Sequence, residues 1–370
     1  MRRAPSTLSI WIGLVTLYFV WGSTYLGIRI AVETIPPFLM GFMRFVAAGS
    51  VLAGVIAILN RSTLRRPSVR EAVDVSVVGG MLLVGGMGAV AWAEQTVPSG
   101  VAALLIALMP MWLAIFSRLF YGDRLPVSAV AGIGIGLLGV AILAWPTGGV
   151  GQLNPAGLVA LIASPIFWSL GTLYAARRAV LPAPALFATG LEMIAGGVLL
   201  LVAAAITGEL SGFSLTQVSA ASWASLGYLF VVGSLLGFTV FGWLVQVAPL
   251  PRLSTYAYVN PVVAVMLGWL IAGEPLTPRT IVAAVVIVVA VAMIVTARGR
   301  AADRTNVVEE LPAVADGERV ADTAVTAVGE GVPAMTVLGS RGEPDAAPLT
   351  TAGTVPTPET ADPAFARADA

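Results

Sequence analysis

Trp92-Ala-Glu-Gln-Thr-Val-Pro98 returns 151 residues later as Trp243-Leu-Val-Gln-Val-Ala-Pro249, with Trp, Gln and Pro in one register. At the same offset Gly86 meets Gly237, Pro110 meets Pro261, Gly122 meets Gly273 and Asp123 meets Glu274. Farther upstream an offset of 149 places Gly22 on Gly171, Tyr25 on Tyr174 and Phe38 on Phe187. Alanine and valine match by chance in any apolar chain. Trp, Gln and Pro matching in one register indicate an internal duplication.

The duplicated material is apolar. Hydrophobic residues make up 58 % of the 370 and charged residues 11 %, with a mean hydropathy of +0.91. A soluble domain has roughly 45–50 % apolar and about 25 % charged residues, so most of this chain belongs in lipid. There is no Cys and no His. That excludes disulfides, thiolate or imidazole metal sites, and Ser-His or Cys-His catalysis.

A spanning helix needs about 20 apolar residues. Ten such runs are expected, near 10–28, 36–58, 74–93, 98–118, 127–145, 154–176, 184–206, 222–246, 251–272 and 278–297. Turn chemistry separates them, as at Ile35-Pro36-Pro37 and Leu181-Pro182-Ala183-Pro184. The first run is read as a span, because nine more follow and no convincing cleavage site does. The expected fold is therefore an all-α integral membrane protein of ten helices. The predicted organisation is a short segment 1–9, a first repeat 10–145, a linker 146–153, a second repeat 154–297 and an acidic tail 298–370. Five spans per repeat start the second unit from the opposite face, so the repeats are inverted, an arrangement common among secondary transporters.

Arginine sets the orientation; the chain has no Lys. Fourteen arginines fall on one side of the spans, among them Arg2, Arg3, the Arg61–Arg70 cluster, Arg177, Arg178 and Arg298, against Arg29 and Arg279 on the other. The positive-inside rule then puts both termini in the cytoplasm and the linker outside. Trp11, Trp92, Trp145, Trp223 and Trp243 lie at predicted span ends, as an aromatic belt would. The zero net charge hides an asymmetry: residues 1–300 carry 16 Arg against 8 acids, and residues 301–370 carry 4 Arg against 12 acids. The tail is rich in Ala, Thr, Pro and Gly and has no core-forming pattern, so it is expected to be disordered.

Trp21-Gly-Ser-Thr-Tyr-Leu-Gly-Ile-Arg29 and Pro36-Pro-Phe-Leu-Met-Gly-Phe-Met-Arg44-Phe resemble the opening of EamA domains of the drug/metabolite transporter superfamily. Ala93-Glu-Gln-Thr-Val-Pro-Ser-Gly100, Met109-Pro110 and Tyr121-Gly-Asp-Arg-Leu125 extend the resemblance, and Tyr256-Ala-Tyr-Val-Asn-Pro261 and Gly273-Glu-Pro-Leu276 repeat it. It covers residues 10–297 and implies a ten-span inner-membrane carrier, both termini cytoplasmic, exporting small metabolites or drugs. It does not name a cargo.

Polar residues that break the repeat are the better functional candidates. Arg44 aligns with Met193 and Glu192 with Met43. Each lies about eight residues, or ~12 Å, inside its span, which places both near the midplane. A charge there costs at least ~2.5–3.5 kcal/mol and normally faces a cavity or a partner. The two readings are a substrate- or proton-handling pair and a structural salt bridge between the repeats. Tyr258 and Asn260 also break symmetry, ahead of Pro261, whose missing N–H frees a carbonyl within the span. Pro110 and Pro261 are the hinge candidates. Trp21, Tyr25, Trp168 and Tyr174 could line a cavity or pack against neighbours. Glu94 reads as an acid at the outer mouth or as a solvated loop charge, and Asp123 and Glu274 as capping residues. Gly134-Ile-Gly136-Leu-Leu-Gly139 matches a dinucleotide motif but lies mid-span; Gly132 and Gly136 make a helix-packing surface instead.

These readings converge on a secondary active exporter of small amphipathic metabolites or drugs, with protons as candidate coupling ion. The alternatives are an uncoupled exchanger or facilitator and, more distantly, a membrane receptor or scaffold. Without a Walker motif direct ATP drive is not expected, and without His, Cys or clustered intramembrane acids no enzyme, cofactor or metal is expected. The expected partners are a small-molecule substrate, protons and lipid, with a homodimer as a candidate assembly and no nucleic acid.

Overall fold

The computed structural model describes residues 6–62, 64–145, 153–248, 250–253 and 255–310. Among these, nine helices are long and apolar enough to cross a membrane: α1 (Thr7–Ala31), α2 (Pro37–Leu59), α3 (Val69–Ala93), α4 (Ser99–Tyr121), α5 (Val127–Ala144), α6 (Pro155–Arg177), α7 (Ala185–Ile206), α8 (Ala220–Leu244) and α10 (Pro278–Ala297). The tenth, α9 (Tyr256–Ala272), is apolar but shorter. A separate turn, Leu250–Leu253, occupies the start of the span expected at 251–272. All ten expected spans therefore have a helix, and the chain is an all-α membrane protein.

Local chemistry starts and stops these helices. Proline, which lacks the N–H that a first turn cannot use, opens α2, α4, α5, α7 and α10. Side-chain caps open four more: Ser6 for α1, a Ser68–Glu71 capping box for α3, Asn154 for α6 and Ser219 for α8, while Thr255 ahead of α9 makes no side-chain cap. Gly122 and Gly273, one repeat apart, close α4 and α9 with φ of 73° and 62°, a left-handed geometry that only glycine adopts readily.

Exchanging each helix for its equivalent five places on leaves the principal contacts unchanged. α1 packs on α8 and α9, and α6 packs on α3 and α4. α2 meets α8 as α7 meets α3, while α2–α7, α4–α9 and α5–α10 pair equivalents directly. The paired equivalents run antiparallel. On α2–α7, Gly41 faces Leu200, Gly197 faces Val46, and Gly49 faces Met193 and the Gly190 carbonyl; on α5–α10, Gly132 faces Ile294 and Gly139 faces Ile287. Antiparallel equivalents are what inversion about an axis in the membrane plane requires. The Gly132, Gly136 and Gly139 stripe lets α10 approach α5 closely, which accounts for the false dinucleotide motif, while Gly134 faces open space.

Serine hydroxyls tie the helices together where lipid offers no hydrophobic drive. Ser222 and Ser225 on α8 donate to the Ile30 and Gly27 carbonyls of α1 at 2.9 and 2.6 Å, and Ser164 on α6 donates to the Gly86 carbonyl of α3 at 2.9 Å. The five tryptophans expected in the belt are all exposed. The last helix continues beyond 297 to Glu310, so the stretch expected to be unstructured begins as helix. The remaining tail and linker residues 146–152 lie outside the described residues.

Candidate functional site

Two helices depart from α geometry at equivalent places. α3 carries a π-helical segment at Gly80–Gly88 and α8 one at Leu229–Leu236. Segments of this kind recur at functional sites. α4 is broken at Ala107–Leu108, just ahead of Pro110, whereas α9 continues through Pro261. Neither proline can donate to the carbonyl four residues earlier, which belongs to Ile106 in one case and Ala257 in the other. Ile106, Ala257 and both prolines line the same cavity.

That cavity has a volume of about 130 Å³ and takes its walls from both repeats. A site for one water needs about 10–15 Å³ on this measure, so the space suits a small organic molecule. Leu83 and Met87 come from the π segment of α3, and Gly233 from that of α8. The aromatic side is built around Trp21, whose ring lies 5.2 Å from Tyr256, 5.8 Å from Phe238 and 5.1 Å from Phe241. Trp168 lines the opposite repeat's contribution, and its buried indole N–H has no acceptor among the described residues.

Arg44 is the cavity's charged residue. It is 4 % exposed. Its Nε donates to the Ser234 hydroxyl of α8 at 3.0 Å, and its guanidinium carbon lies 4.8 Å from the centre of the Phe45 ring. Among the described residues no carboxylate pairs with it.

Glu192 does not meet Arg44. The antiparallel register of α2 and α7 sets Arg44 level with about residue 198, some six residues or ~9 Å from Glu192 along the helix. Arg44 turns toward Gly233 and Ser234, while the backbone at Glu192 packs on Gly79 of α3. The salt bridge between the repeats is thus absent. Both lie near the midplane, but the antiparallel register offsets them along the seam and their side chains leave on different faces. Glu192 is 1 % exposed, and neither carboxylate oxygen has a partner among the described residues.

The remaining expected residues divide. Trp21, Tyr25, Trp168, Asn260, Pro110 and Pro261 line the cavity. With its amide nitrogen facing the Tyr18 and Tyr256 carbonyls, Asn260 donates to them at 3.2 and 3.3 Å. Tyr174 lies elsewhere: its hydroxyl donates to Asp74 Oδ1 at 2.6 Å, and Asp74 also accepts from Val180 N at 2.7 Å, a structural clamp. Tyr258 is half-buried against the main apolar cluster.

Glu94 is fully buried rather than a solvated loop charge. Its backbone carbonyl accepts from Arg29 Nη1. Its carboxylate lies within electrostatic range of Glu274, Arg29 and Tyr25, and among the described residues both oxygens lack a hydrogen-bond partner, as does Ser99 Oγ. Burial, aided by the Glu274 charge and opposed by Arg29, pushes the Glu94 carboxyl well above the usual carboxylate range. Tyr25 thus lines the cavity and also lies within electrostatic range of the Glu94 carboxyl.

The sequence reading missed Thr24, Phe45, Met87, Ser234 and Tyr256. Helical spacing could have found Tyr256, since it shares a face with Asn260 at i, i+4 and Tyr258 does not. Ser234 carried no local signal; it is chosen by α2–α8 packing. Among the described residues no group of three His, Cys, Asp or Glu side chains could hold a metal.

The sequence matches the EamA-like transporter family twice, over residues 8–145 and 155–296. It is 37 % identical over 294 residues to an uncharacterized inner membrane transporter, YedA, of Escherichia coli (strain K12), covering 79 % of this chain and 92 % of that one. It is 27 % identical over 279 residues to a probable terminal-alkyne amino-acid exporter of Streptantibioticus cattleyicolor, covering 74 % and 89 %. A solved crystal structure of another protein, 23 % identical, superposes with a TM-score of 0.51 over 80 % of this chain and 99 % of its own. With both halves matched and the fold in agreement, this chain belongs to the EamA-like transporter family and is a multi-pass membrane transport protein.

Proposed function

We propose that the protein is a secondary active exporter of small amphipathic organic molecules across the bacterial inner membrane, working by alternating access. The observation that carries this reading is the Arg44 cavity, walled by both inverted repeats and bounded by helices with π segments and proline breaks. Inverted repeats around a midplane site can exchange inward-open and outward-open shapes by rocking one unit against the other. Irregular backbone beside the site supplies places for that motion. The relative named as an exporter supports the outward direction, and the one named as an inner membrane transporter supports the location. The arginine bias supports cytoplasmic termini. Glu192 and Glu94, two buried carboxyls without hydrogen-bond partners among the described residues, are the candidates for proton coupling.

The test compares efflux of a metabolite and toxin panel from cells overproducing the protein with cells lacking it, followed by flux in proteoliposomes under an imposed pH gradient. Export of one compound class that requires the protein and follows the gradient is expected. Flux indifferent to the gradient would favour an uncoupled exchanger, and binding without flux a receptor.

A further inference from the structure

We propose that the cavity selects small organic anions, and that Arg44 binds their carboxylate while the aromatic walls hold an apolar body. This rests on the transport reading and adds the substrate class.

Arg44 carries a charge that no acidic residue compensates among the described residues. A guanidinium in a low-dielectric interior is normally stabilised by an anion, and arginine in a span is expected to have one. Arg44 is 4 % exposed, and among the described residues no acidic residue lines the cavity. Ser234 engages Nε alone. Arginine has five N–H donors in a planar fork that fits a carboxylate with two parallel bonds. Fixing Nε restricts rotation of that plane and leaves the Nη groups for a ligand. Position 233 is glycine beside Nη2, where a side-chain carbon would crowd the guanidinium at 3.2 Å. Trp168, also in the wall, holds a buried indole N–H that lacks an acceptor among the described residues.

The rest of the wall decides what carries the carboxylate. Trp21, Phe45, Phe238 and Tyr256 surround the charge with apolar surface. A bare inorganic ion would satisfy Arg44 but leave that surface wet. A neutral molecule would fill the space but leave Arg44 unpaired, and a cation would be repelled. A monoanion with an aromatic or aliphatic body answers both demands.

The test uses the full chain in nanodiscs for binding and in proteoliposomes for counterflow. The probes are phenylacetate, its neutral isostere phenylacetamide, the cation phenethylamine, and acetate, which lacks the body. Hydrogen bonds to a charged group imply that phenylacetate binds about ten- to hundred-fold tighter than phenylacetamide. R44Q removes that preference while phenylacetamide binding persists, which shows an intact cavity. R44K keeps part of the preference, and S234A reduces it. Acetate binds more weakly than phenylacetate. Equal binding of acid and amide, tighter binding of the amine, an acid preference surviving R44Q, or no binding of any probe overturns the assignment. If R44Q does not fold, the wild-type probe order and S234A decide. Acid-selective binding without counterflow sinks the transport reading and keeps the anion site. Counterflow of acid and amide alike keeps transport and sinks the anion site.

Discussion

Glu274 at the end of α9 caps the start of α4: its Oε1 accepts from Ser99 N at 2.7 Å and its Oε2 from Gly100 N at 3.1 Å. α4 and α9 are equivalent helices of the two repeats, so a carboxylate at the end of one satisfies orphan N–H groups at the beginning of the other. The capping role expected of Glu274 acts across the repeat boundary.

Removing this carboxylate leaves two backbone donors at a packed seam. E274A should destabilise the protein by about 1–2 kcal/mol, and E274Q by less, because an amide oxygen still accepts. Thermal unfolding of purified protein checks this, and unchanged stability of E274A would mean that water replaces the cap at no cost.

Glu209 caps α2 in the same manner, accepting from Phe38 N at 3.3 Å and Leu39 N at 3.0 Å. Partial burial raises its carboxyl above the ordinary value, and the two backbone bonds oppose the rise. A raised carboxyl binds more protons in the folded state than in the unfolded state. Its contribution to stability is therefore fully present below the ordinary carboxyl value and is lost as pH rises through the raised one. E209Q should flatten that fall. Unfolding midpoints from pH 4 to 8 for both forms provide the check, and parallel curves would exclude Glu209 as the source.

The architecture was legible because lipid imposes a simple code. Span length, proline starts, glycine stops and arginine bias are local properties, and each of the ten expected spans has its helix. Much of the cavity was legible too, since Trp21, Tyr25, Arg44, Trp168 and Asn260 line it. What failed was inter-helix register and rotation about helix axes. Depth placed Arg44 beside Glu192, but only the α2–α7 register shows that they sit at different levels. The same limit separated Tyr256 from Tyr258 and hid Ser234, and it sent Tyr174 to Asp74 rather than to the cavity.

That register makes a prediction about coupling energies. Residues without shared partners contribute additively, within about 0.3–0.5 kcal/mol. R44M and E192M should therefore add in a double-mutant cycle on stability, and E192M should not be rescued by R44M. A coupling above about 1 kcal/mol would restore the ion pair as a feature of another state of the cycle.

Proton coupling, finally, has two candidate carboxyls in different settings. Glu192 lies in α7 with no hydrogen-bond partner among the described residues. Glu94 lies just past the end of α3, within electrostatic range of Arg29, Glu274 and Tyr25, and Tyr25 lines the cavity. A coupling acid must change its protonation as the cavity changes sides, and it must sense the cargo. The Tyr25 link gives Glu94 a route for that communication. Its raised carboxyl favours the protonated form, so its contribution to stability is lost as pH rises through the raised value, and E94Q, a mimic of that form, should flatten this dependence. If Glu94 couples, E94Q abolishes gradient-driven efflux while exchange down the cargo's own gradient persists, and E192Q keeps a wild-type pH profile. If Glu192 couples, the two variants trade places. Flux against pH for both, at matched membrane abundance, separates the cases, and gradient-driven efflux retained by both would leave an uncoupled exchanger.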